Sequence, residues 1–221
     1  MTLSHEQLAY IAIVISMVGY IPYIYSTLRN RTKPHVFSWL IWAIMMGVMC
    51  MAQLEKGAGP GAWVMMLSSS MCCFITILAV FKGTRFITRM DWAALALAVT
   101  GIGAWQVTGD PLLAVLLMIA VDILATLPTV RKSWYRPHEE LAWLYGVNVV
   151  RFSLSILALQ SINVVTILPL ITVIIVEGAL CLMIIYRRLV IEKRRARLAR
   201  RRKRQASTRK RQMRSYFVAF S

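Results

Sequence analysis

Three ionisable residues stand inside long apolar runs: Asp122 in PLLAVLLMIAVDILATLPTV, Arg151 in LAWLYGVNVVRFSLSILAL and Glu177 in VVTILPLITVIIVEGALCLMIIY. On insertion scales each such charge costs on the order of 2.5–3.5 kcal/mol at the centre of a bilayer, so three left alone would threaten any fold that held them. They are expected to meet, with Arg151 between the two carboxylates, because a guanidinium fork serves both. One arginine against two carboxylates leaves one negative charge over, or one proton to hold. That is the chemistry of a proton-coupled carrier, and it equally suits a cationic solute. The plainer alternative is a structural ion triad tying three helices together.

Other residue types join them. Asn148 lies one helical turn before Arg151 and shares its face. Trp39 and Trp143 stand near the starts of two apolar runs, where they anchor to a membrane interface or stack on a solute ring. His35 and His138 precede the same runs, as a pH-responsive gate or simply as helix caps or water-facing groups. The four cysteines, Cys50, Cys72, Cys73 and Cys181, lack metal-ligand spacing and read as small buried hydrophobes. Neither a metal cluster, a nucleophile–base pair nor a nucleotide loop points to an enzyme, and no cofactor is expected. No apolar run carries a central lysine for a Schiff base, which disfavours a retinal protein.

The elements that must position these groups follow from composition. The chain is 58% hydrophobic and only 16% charged, with a mean hydropathy of +0.62, which leans towards lipid. A helix needs roughly 17–25 apolar residues to cross a bilayer. Seven runs qualify: Leu8–Leu28, Val36–Leu54, Ala62–Phe81, Trp92–Thr108, Pro111–Val130, Leu141–Leu159 and Val164–Tyr186. Their short connections leave no room for a soluble domain. MTLSHEQLAY has no basic leader region, so the first run reads as a retained span. Counted along their own helices, Asp122, Arg151 and Glu177 come out within roughly 5 Å of the same depth. In the fourth run, Ala94, Ala98, Gly101 and Ala104 allow a neighbouring helix to come close.

Orientation follows from the cations. With the N-terminus outside, the inner segments hold Arg29, Arg31 and Lys33; Lys82, Arg85 and Arg89; Arg131, Lys132 and Arg136; and fifteen more between Arg187 and Arg214. That accounts for 24 of the 26 Lys and Arg, with Lys56 outside and Arg151 within a span. The expected fold is an all-α integral membrane protein, N-out and C-in, in a plasma or bacterial inner membrane.

The chain also repeats itself. KPHVFSWLIW and RPHEELAWLY align on Pro34-His35 and Pro137-His138, and one inserted residue brings Trp39 over Trp143. Each preceding run has a proline near its inner end, Pro22 and Pro128, and SSSMC lies over EGALC in the third run of each set. By this alignment Ser16 answers Asp122 and Ser68 answers Glu177. Both Pro-His loops fall on the basic face, which requires an unpaired middle helix. The plan is therefore two parallel three-helix bundles joined by a linker helix, 3+1+3. Residues 1–81 form the first bundle, 82–110 the linker, 111–187 the second bundle and 188–221 a basic cytoplasmic tail.

This arrangement, with a proline late in the first helix of each unit and a basic loop after it, resembles the SWEET and PQ-loop (MtN3-like) transporter superfamily. The family's Pro-Gln dipeptide is here Pro22-Tyr23 and Pro128-Thr129, so the proline matches and the glutamine does not. The resemblance implies a central substrate site between the bundles, prolines that let helices flex, and alternating access. Independently of it, each proline removes an N–H and disturbs the carbonyl a turn earlier, near Val18 and Leu124.

The expected function is transport of a small polar solute, with proton coupling through Asp122 and Glu177. The alternative is a membrane receptor or sorting protein on the same scaffold. The tail, RRLVIEKRRARLARRRKRQASTRKRQMR, is expected to meet anionic lipid headgroups. It lacks the aromatic interleaving and binding fold of a nucleic-acid partner. A homo-oligomer is compatible with the sequence.

Overall fold

The computed structural model describes residues 3–83 and 87–219, and the side chains of these apart from Pro128, Lys132, Glu139 and residues 198–219. Arg85, the Pro128 ring and the tail side chains beyond Arg197 therefore lie outside the described residues. The rest is helical: α1 His5–Leu28, α2 Val36–Glu55, α3 Trp63–Lys82, α4 Arg89–Thr108, α5 Pro111–Tyr135, α6 Ala142–Leu157 and α7 Val164–Ala219. Short 3-10 turns at Gly59–Ala62 and Pro137–Glu139 precede α3 and α6.

Local chemistry sets the helix starts. Ser4 and Gln7 form a reciprocal capping box at α1, and Thr88 and Asp91 form another at α4. His35 caps α2, its ring accepting from the Ser38 amide at 3.3 Å. Gly109, at φ 65°, ends α4 in the left-handed region that glycine tolerates. Two residues later Pro111 opens α5, where its missing N–H costs nothing.

Five helices, α1, α2, α3, α5 and α7, are long and apolar enough to cross a membrane. α6 is apolar but has 16 residues, about 24 Å of helix against a hydrocarbon core of about 30 Å. α4 has the length, with Arg89 and Asp91 in its first turn. Large apolar side chains also cover the outside: Val14, Ile77, Ile175 and Leu182 are all exposed. The interior, in turn, holds Asp122, Arg151 and Gln53. That inversion of the usual distribution suits a protein whose surroundings are lipid.

Packing repeats along the chain. α3 lies against both α1 and α2, and α7 against both α5 and α6. Across these groups α1 packs on α6 and α5 on α2. α4 rests on α5 and touches α2. Ala94, Ala98 and Gly101 are buried in that contact, and a Cβ on Gly101 would lie 3.2 Å from the Leu117 Cβ. The small-residue stripe read from the sequence is a close helix–helix approach.

α7 exceeds the expected span. It runs for 56 residues without a break. After Gly178 the chain has neither Gly nor Pro, and its Arg, Lys, Leu, Ala and Gln all favour helix. α5 likewise continues five residues past Val130, to Tyr135.

Candidate functional site

The helices enclose a cavity of about 670 Å³ whose lining includes Asp122, Asn148, Arg151 and Glu177. Its walls come from the later part of α1, the first half of α2, and α5, α6 and α7, with Cys72 of α3 and Asp91 of α4 also reaching it. The lining reaches Arg31 and Lys33 after α1, Thr88 before α4, and Glu140 and Leu141 before α6. The cavity therefore opens at the end where the basic connections gather. Lys82 ties two of these together by donating to the Leu28 carbonyl at 2.9 Å. Arg188 ties α7 to the third through the carbonyls of Pro137 and Glu140.

The opposite end is shut. There the α2–α3 and α6–α7 connections bond directly: Gln160 N–H donates to the Ala58 carbonyl at 3.1 Å and Asn163 Nδ2 to the Lys56 carbonyl at 3.2 Å. Gln53 Nε2 donates to the Thr166 carbonyl at 2.7 Å, and Ser155 Oγ to the Gly61 carbonyl at 2.8 Å. A Cβ on Gly61 would stand 2.6 Å from the Leu159 Cδ2 and 2.9 Å from its Cα. Only glycine lets these backbones come so close.

Inside, the three charges share the cavity but do not form the expected triad. Among the described residues neither carboxylate lies within ion-pair distance of Arg151. Arg151, 2% exposed, reaches across to the first helices instead. Its Nη1 donates to Ser68 Oγ at 2.9 Å and its Nη2 to the Tyr20 hydroxyl at 3.2 Å. The guanidinium also lies 5.0 Å from the Tyr20 ring centre and 4.5 Å from that of Phe152, close enough for cation–π attraction. Hydroxyl and aromatic partners thus replace the ion pair. Glu177 accepts from Asn148 Nδ2 at 3.1 Å. Asp122, 5% exposed, has no hydrogen-bond partner among the described residues.

The remaining expected residues divide. Ser68 belongs to the site through Arg151. Ser16 does not: its hydroxyl turns back to the Ala12 carbonyl at 2.7 Å, as serines in apolar helices do, and it takes no part in the lining. Trp39 is buried and lines the cavity, packing on Tyr23 with ring centres 4.9 Å apart and on Trp42 at 5.4 Å. Trp143 is 65% exposed on the outer face, which corrects its pairing with Trp39. His35 caps α2 and also lines the cavity, whereas His138 is exposed in the 3-10 turn and lies off it. Pro22 sits exposed inside an unbroken α1.

The pairing fails because the two Pro-His motifs are not equivalent. α2 starts directly after His35, but His138 lies within the 3-10 turn and three residues separate it from α6. Counted from their caps, His35 and Leu141, the helices correspond at an offset of 106, the offset that also separates Pro22 from Pro128. In that register Tyr145 answers Trp39. It is buried, lines the cavity and donates its hydroxyl to Glu140 Oε2 at 3.2 Å. Tyr145, Tyr20, Tyr23 and Trp42 are site residues that the sequence reading passed over. The available signal was the constant offset itself, hidden by the conspicuous Pro-His pair.

No family model, curated protein or solved structure matches this chain.

Proposed function

We propose that the chain is an integral membrane transporter of 3+1+3 plan, N-out and C-in, that moves a small polar solute by alternating access and couples it to protons through Asp122 and Glu177. The observation that carries this reading is the one-sided cavity: polar and charged at its centre, open at the basic end and bonded shut at the other. A binding site reached from one side, with a seal made of a few hydrogen bonds on the other, is the arrangement that alternating access requires. The repeated pairings, α1 on α6 and α5 on α2, support two parallel units with α4 as the unpaired linker. The positive-inside bias supports the orientation, in which the cavity faces the cytoplasm. Membership of the SWEET and PQ-loop superfamily is part of the same proposal and rests on the plan and the two prolines.

Reconstitution into liposomes tests it. With a proton gradient imposed, the wild-type chain takes up solute, and Asp122→Asn loses gradient-driven uptake even at solute concentrations raised to keep its weakened site filled. Solute binding without any flux would instead indicate a receptor on this scaffold, and driven uptake unchanged in Asp122→Asn would remove the coupling role.

A further inference from the structure

We propose that the solute is a monovalent organic cation, held with its charge at Asp122 and Glu177 and its apolar part against the aromatic corner of Tyr23, Trp39 and Trp42. The inference rests on the transport reading only for the passage of the solute; the binding site stands without it.

Charge leads the argument. Asp122 is nearly fully buried, faces the cavity and has no hydrogen-bond partner among the described residues. Glu177 faces the same space and accepts from the neutral amide of Asn148. A carboxylate so placed needs either a proton or a cation. Arg151 does not fill that need by contact, since its two terminal nitrogens donate to Ser68 and Tyr20 and its face is covered by two rings. For the same reason it offers little to an anionic solute, whose charge would also meet both carboxylates. A neutral polyol would leave the surplus negative charge to be answered by a proton alone. One positive charge on the solute balances the centre.

Shape agrees with charge. Trp39 stands edge-on to Trp42 at 88° and leans on Tyr23, so three rings form a braced corner on the cavity wall. Aromatic faces attract cations with apolar substituents more readily than strongly hydrated ones. The volume of about 670 Å³ falls within the range of small-molecule sites. Arg31 and Lys33 also line the mouth, but they are exposed to solvent, where charge is screened.

The test uses the full chain in lipid nanodiscs and four probes of one ring size. Phenyltrimethylammonium carries a permanent charge, tert-butylbenzene is its neutral isostere, benzoate is an anion and phenylalanine a zwitterion. Tryptophan fluorescence and calorimetry should show the ammonium compound binding at least tenfold more tightly than each of the others. Asp122→Asn and Glu177→Gln should each weaken it about tenfold, and Trp39→Leu should weaken it severalfold. Equal binding of the isostere, or preference for benzoate or phenylalanine, would overturn the proposal from the wild-type chain alone, whatever the variants do. Cation binding without flux in liposomes would leave this inference standing and remove the transport reading. Flux of a neutral solute with no cation binding would do the reverse.

Discussion

Position by position, α1 and α2 present Ser16, Trp42 and Met45 where α5 and α6 present Asp122, Asn148 and Arg151, and α3 presents Ser68 where α7 presents Glu177. The helix pairings within the two groups are alike. Their chemistry is not. The first group supplies rings and hydroxyls; the second supplies every charge buried at the centre of the cavity. Neither wall is satisfied alone, because Arg151 finds its partners on α1 and α3 rather than on its own side. The site is polarised, and its two walls depend on each other.

The sharpest way to break this dependence is Arg151→Met, which gives α6 the residue that α2 carries at Met45. Losing the guanidinium strands the Tyr20 hydroxyl and leaves two carboxylates without a nearby positive charge, so thermal unfolding in detergent should report a loss of about 3–4 kcal/mol. Arg151→Lys should recover only part of it, since a single ammonium cannot reach Ser68 and Tyr20 as a fork does. The tryptophans give the next contrast. Trp39→Ala should cost about 3 kcal/mol and disturb solute binding, whereas Trp143→Ala on the outer face should stay within about 0.5 kcal/mol.

Smaller effects sharpen the picture. Gly61→Val forces a side chain into Leu159, which should destabilise by about 1–2 kcal/mol. It should also raise maleimide labelling of a cysteine placed at Gln160 severalfold, by loosening the closed end. Ser68→Ala removes one of the two hydroxyls on Arg151 while leaving the other, and a loss of about 1 kcal/mol is expected in the same unfolding assay. Ser16→Ala, at the position matching Asp122 but turned away from the cavity, should change solute binding by less than twofold.

Much of this was legible in the chain. Apolar run length located the helices to within about five residues, apart from the far end of α7, which continues to Ala219, because hydrophobic stretches of that size have few other solutions. The meeting of Asp122, Arg151 and Glu177 at one cavity followed from their cost in lipid. What contacts they make did not follow. An ion triad is the simplest satisfaction of three charges, yet Tyr20 and Ser68 lie 131 and 83 residues from Arg151 in sequence, and nothing local announces a hydroxyl partner at that distance. The register failed for a different reason. Pro-His stands out to the eye, while the offset of 106 joins His35 with Leu141, unlike residues that share only a place at the start of a helix. Seals such as Gln160 on Ala58 are backbone contacts between loops and leave no residue pattern to read.

Accessibility of Met46→Cys, a position in the cavity wall of α2, tests the central claim of a passage reached from one side at a time. In a background with the four native cysteines replaced, a membrane-impermeant maleimide should label it in inside-out vesicles and not in right-side-out ones. Adding Gly61→Val should bring labelling from the outer side as well. Labelling from the outer side in the otherwise unaltered chain, or protection from both sides, would contradict the account.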